Sequence, residues 1–388
     1  MAVVLLRRMF SSSTTSPSPN PEKPQRLKAL INRMFKIRDP DALVSAFNSA
    51  SSAHARFRAS HNIYSSAIHR LSAVDRPDCV RAILEHQKQF PDLRREGFAL
   101  RLLSLYGAAK LPDDAIATFR QLPSLDCPRS IKSFNALLSA CLESKAFNLI
   151  PDLFKQIPSE DPSITPSLCS YNILIHALCE KPDLDAAFKI LDLMESNGIS
   201  PDLVSFNTLL NAYYTNGLID NAEKVWVLMH EKKIEPDTKS FNAKLRWLVS
   251  QERVLEASEL VDELRKNGPK PDAFSFDALI RGFCNDGKLE EAKGLFMELT
   301  ESDYAPVHTT FEILIPKLCD NGEIDLAFKI CCDSLSNKRF IDANTLQNLV
   351  DKLVERSRME EAKKLVELGR LNGCSRKNLR IPESCASG

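Results

Sequence analysis

The chain has 388 residues, 44% hydrophobic and 26% charged, which suits a folded protein but is too long for one ordinary compact core. Its 51 Lys and Arg balance 51 Asp and Glu, which argues against a strongly basic nucleic-acid binder. Twelve Gly and 7% aromatics disfavour β-sandwiches and barrels, and no apolar run approaches the roughly 18 residues of a membrane span.

Residues 1–21 contain no Asp or Glu, Arg7 and Arg8 follow a short apolar stretch, and Ser11 to Ser18 is rich in Ser, Thr and Pro. That composition predicts a transit peptide and leader over 1–23. Arg8-Met9-Phe10-Ser11 resembles a mitochondrial processing site, so the mitochondrion (matrix) is expected rather than the plastid.

Further along, one period dominates. Asn172, Asn207, Asn242 and Asp277 step by 35 residues, each two places after a Ser. Ala187, Ala222, Ala257, Ala292, Ala327 and Ala362 keep the same step, as do Pro201-Asp202, Pro236-Asp237 and Pro271-Asp272. Upstream the register decays. Asn135 opens a unit with two extra residues, and Ala115 and Phe119 mark a weaker one. The expected organisation is degenerate N-terminal helical repeats over 24–130, regular repeats over 131–377 and a short tail over 378–388.

Each unit reads as two helices. In 203–237, Phe206, Leu209, Leu210 and Tyr213 predict a first helix over about 205–215, and Asn216-Gly217 breaks it. Ile219, Ala222, Val225, Trp226 and Met229 predict a second helix, which Pro236-Asp237 is expected to stop. The recurrent Ala falls where the helices should approach most closely. One pair cannot bury its apolar face alone, so neighbours must stack into an all-α solenoid of about nine to ten pairs. None of the 11 Cys forms a C-x-x-C pair or a zinc spacing, and Cys recurring at one repeat position reads as a small core hydrophobe.

The period of 35, the S-[FY]-N opening, Leu178-Cys179 and Leu318-Cys319, the recurrent Ala and the Pro-Asp resemble the pentatricopeptide repeat family of plant organelles. The resemblance covers about 24–377 and is nearest the pure-repeat class. It implies a right-handed α-solenoid that holds RNA, with one base per repeat read by two or three side chains. The segments 96–98, 133–138 and 340–342 further resemble short mitochondrial members, some of them built into the small subunit of the mitochondrial ribosome.

By that resemblance, the fifth and last residues of a unit face a base edge. The base-reading candidates are Asn135 with Ser167, Asn172 with Asp202, Asn207 with Asp237, and Asn242 with Asp272; Val204 and Phe274 are base-flanking candidates. An amide both donates and accepts, which suits a Watson–Crick edge. In the family Asn/Asp favours uridine and Asn/Ser cytidine, so the implied readout is pyrimidine-rich. Asp277/Val307 and Glu312/Asp342 match no common combination, and the track should end near 272. An alternative role is open at each position: Asn or Asp there could simply cap a helix.

The thirteenth position, commonly Lys in the family, is Glu143, Glu180, Thr215, Ser250, Asn285, Asp320 and Glu355, without a cation. That weakens solitary binding to phosphates. No His precedes Glu by two residues, and no nucleophile elbow or phosphate loop occurs, so no catalytic residue, metal site, cofactor or small-molecule substrate is expected. The partners expected are RNA (rRNA or mRNA) and mitoribosomal small-subunit proteins, with no membrane. The expected function is therefore a scaffold of the mitoribosomal small subunit in translation. The alternatives are a free factor on a U-rich organellar transcript and a protein-only scaffold.

Overall fold

The computed structural model describes residues 24–382 apart from 182, 303 and 375–377. The leader expected over 1–23 lies outside the described residues. The chain forms two compact units that divide between Leu209 and Leu210. Among the described residues every regular element is helical, and ten two-helix repeats follow one another in chain order. No helix is long and apolar enough to cross a membrane.

In the N-terminal unit, the second helices Pro40–Ala53, Pro77–Gln87 and Pro112–Gln121 each begin on Pro-Asp. Proline's fixed φ fits the first helical turn, where its missing N–H costs nothing, and the following acid complements the positive helix end. Further along, the same dipeptide does different work. Asp237 and Asp272 are N-caps of the first helices Thr238–Ser250 and Ala273–Asn285, each accepting from the next two available N–H groups at 3.0 Å.

Two boundaries differ from expectation for this reason. The helix over 203–215 starts two residues before the predicted point, because Asp202 caps it and accepts from the Ser205 N–H at 3.0 Å. The helix Ile219–Glu231 ends five residues before Pro236. Lys233, at φ 55°, turns the chain there, so the proline is not the terminator. The turn between the two helices of a repeat also uses a left-handed residue, at Lys110, Lys145, Gly217, Glu252, Gly287, Gly322 and Ser357. At Gly217 this conformation is cheap, which is why Asn-Gly marked the break legibly.

Packing follows the period. Ala187 in the N-terminal unit, and Ala222, Ala257, Ala292, Ala327 and Ala362 in the C-terminal one, are all fully buried. So are Phe134, Phe206 and Phe311 within about 1%, at the position just before the candidate reader. Burying each such ring contributes roughly 1.5–3 kcal/mol. In the N-terminal unit Phe154 joins Phe134 and Tyr171, with ring centroids 6.2 and 5.0 Å away. Cys79, Cys127, Cys141, Cys284, Cys319 and Cys331 are buried and free, and burial pushes the Cys141 and Cys179 thiols up to about 12. They pack as small hydrophobes.

The segment expected as a simple tail folds back. Leu379 is fully buried in the last helix pair, Arg370 donates to the Leu379 carbonyl, and Arg380 exchanges two 2.9 Å hydrogen bonds with the Gln347 amide.

Candidate nucleic-acid interface

Of the expected reader residues, Asp237 and Asp272 are N-caps, as the capping alternative allowed, whereas Asn135, Asn172 and Asn242 do not cap their own helices. Asn135 lies in the second turn of Ile131–Glu143, and Ser130 caps that helix. Asn172 and Asn242 lie likewise in Leu168–Cys179 and Thr238–Ser250. Each of these amides instead reaches the start of the next repeat. Asn172 Nδ2 donates to Asp202 Oδ1 at 3.0 Å, and Ser205 Oγ donates to Asn172 Oδ1 at 2.5 Å. Asn242 makes the same two bonds with Asp272 (2.9 Å) and Ser275 (2.7 Å). Asn135 Nδ2 meets Ser167 Oγ at 3.3 Å and its Oδ1 accepts from Ser170 Oγ at 2.6 Å.

The structure therefore brings together the expected pairs Asn135 with Ser167, Asn172 with Asp202, and Asn242 with Asp272. Asn207 sits half-buried on the helix over 203–215, and Asp237 caps Thr238–Ser250. In each lock the serine is a third member that the expected pairs did not include. Ser170, Ser205 and Ser275 are fully buried, and each also accepts from the N–H of its own cap residue, at 2.9 to 3.2 Å. The signal was present in sequence, since each serine stands two places before a reader position.

Chemically, the lock uses half of each amide. One N–H of Nδ2 and one lone pair of Oδ1 stay unassigned, which is what a base edge needs. Asn135 and Asn172 are half-buried, whereas Asn242 is only 4% exposed. Val204 and Phe274 are 42% and 57% exposed, as expected of side chains that flank a flat ring. All seven thirteenth-position residues are exposed.

The hydrogen-bond pattern differs at the next two reader positions. Asp277 accepts from Thr309 and Thr310 hydroxyls, both at 2.9 Å, and lies 3.9 Å from Arg281. Val307 offers no side-chain cap. Glu312 is exposed and cannot donate to Asp342, whose Oδ2 is buried without a hydrogen-bond partner. A group of potential metal ligands, Asp41, Asp78 and Cys79, is organised by Arg76, whose guanidinium lies 2.8 and 2.7 Å from the two carboxylates.

Comparison with known proteins decides the family. The PPR repeat family matches residues 166–212, 201–246, 236–285 and 271–320, and the pentatricopeptide repeat domain matches 119–181. The chain belongs to the pentatricopeptide repeat family. This pentatricopeptide repeat protein is 40% identical over 198 residues to the Arabidopsis thaliana small ribosomal subunit protein mS78, covering 50% of the chain and 49% of the relative. It is 37% identical over 193 residues to mS79 of the same organism, covering 50% and 48%. The chain thus spans about half the length of these curated relatives. Among solved structures, the maize pentatricopeptide repeat protein PPR10 in complex with an 18-nucleotide psaJ RNA element matches 95% of this chain and 58% of its own, with TM-score 0.52 and 17% identity. That likeness concerns the fold.

Proposed function

We propose that this pentatricopeptide repeat protein is a non-catalytic RNA-binding scaffold of mitochondrial translation, held in or on the small ribosomal subunit. The observation that carries the reading is the series of half-used amides, half-buried at Asn135 and Asn172 and nearly buried at Asn242, together with the exposure of Val204 and Phe274. Such groups offer base contacts while already ordered, so little entropy is lost on binding. The names of the two ribosomal relatives favour the small subunit and a mitochondrial location. The missing thirteenth-position cations fit an assembly in which many neighbours share the binding.

The pairs Asn172/Asp202 and Asn242/Asp272 also favour a second reading, a free factor on a U-rich transcript. Sedimentation of mitochondrial lysate, with and without magnesium chelation, separates the two. Persistent migration with the small subunit supports the ribosomal role. Migration near the top of the gradient, or in a light RNase-sensitive particle, overturns it in favour of the free factor.

A further inference from the structure

The zero net charge conceals a strong segregation. Residues 24–101 hold fourteen Lys and Arg against seven Asp and Glu, whereas residues 102–388 hold 34 against 43. Eleven of those fourteen cations are Arg, against twelve of 34 in the remainder. Arg is the cation whose planar fork matches phosphate oxygens two at a time and stacks on bases.

Part of this charge is spent inside the fold. Arg58 pairs with Asp92 at 2.6 Å, Arg76 with Asp41 and Asp78, and Arg81 with Asp114 at 3.0 Å. Arg70 donates to the carbonyls of Phe35 and Ile37, which holds the turn after the first helix against the next repeat. Among the cations that remain, Lys28, Arg33, Lys36 and Arg38 lie together on the helix Pro24–Met34 and its following turn, while Arg56 and Arg95 stand farther along the chain. All four are exposed, and among the described residues none is paired with a carboxylate. No acid occurs between residues 24 and 38, and Asp39, the first, is engaged as the cap of Pro40–Ala53.

We propose that the N-terminal repeats, through Lys28, Arg33, Lys36 and Arg38, are the phosphate-binding anchor of this protein for RNA. The proposal rests on the RNA reading above. Affinity then comes from the N-terminal repeats and base selection from the amides of 135–272, a division that the neutral total charge hides.

The test is fluorescence anisotropy of the full chain with U-rich and A-rich oligonucleotides across a salt series. The variant is K28Q/R33Q/K36Q/R38Q, and a charge-matched control is K224Q/K266Q/K329Q/K338Q, all at exposed positions. The N-terminal variant should bind both oligonucleotides at least tenfold more weakly, and equally so. Its salt slope should fall by about 0.7 for each phosphate no longer neutralised, so by roughly 2–3. The control should keep most of the wild-type slope. A wild-type slope in the N-terminal variant, or an equal weakening in both variants, overturns the anchor and leaves the RNA reading standing. Retained RNA binding with abolished binding to polyglutamate overturns it in favour of an acidic protein partner. Failure of the wild-type chain to bind either RNA removes the RNA reading itself, and the anchor with it.

Discussion

At the residue scale, the asparagine is both lock and prospective reader. Asn242→Ala removes two hydrogen bonds at a nearly buried amide, to Asp272 and Ser275, so the RNA-free protein should lose roughly 1–3 kcal/mol. Calorimetry or chemical denaturation would show it, and unchanged stability would mean the amide serves RNA alone. The converse change mends a defect. Glu312→Asn replaces a carboxylate facing Asp342 with an amide that can donate to its capping Oδ1, as Asn242 does to Asp272, and should stabilise by about 0.5–1.5 kcal/mol. The reader letters were legible in sequence because they recur every 35 residues. Their serine partners recur with the same period, but that a serine 33 residues downstream meets the amide depends on how neighbouring repeats stack, which local pattern does not show. The capping alternative holds for Asp237 and Asp272, which cap their first helices, and not for Asn135, whose helix is capped by Ser130.

At the element scale, the period fixed helix number and faces, since 3.6-residue spacing dictates which side is buried. Ala222 is fully buried, so Ala222→Leu should overpack and cost roughly 1–3 kcal/mol, read as a lower melting temperature. Ala222→Gly separates overpacking from reduced helix propensity, which is worth only about 1 kcal/mol. The boundaries were less legible because one dipeptide has two uses. Pro77-Asp78 opens a second helix, whereas Pro271-Asp272 caps a first. Only the surrounding turn decides, and there a lysine such as Lys233 takes the left-handed conformation that pattern alone assigns to glycine.

At the scale of the whole molecule, charge is unevenly spread and so is the response to acid. Burial holds the pKa of His86 and His176, both in the N-terminal unit, below the ordinary value. The folded chain thus favours neutral rings and the unfolded chain binds protons more readily. The associated stability is present above about pH 6.5 and is lost as pH falls through the lowered values. Melting curves at pH 7.5 and 5.5 should show a drop that H86Q/H176Q reduces; an equal drop in that variant would assign it to other groups. The fold class was legible from composition and period, whereas net charge is a total, and a total of zero says nothing about where cations stand.

The central claim is that this protein holds RNA on its reader face within a ribosomal particle. Ultraviolet cross-linking of intact mitochondrial ribosomes, with adducts located by mass spectrometry, tests it most directly. RNA adducts are expected within residues 131–277, at flanking positions such as Val204 and Phe274, together with adducts in 24–101. Protein recovered in the particle without RNA adducts in either segment, cross-linked only to other proteins, would contradict it.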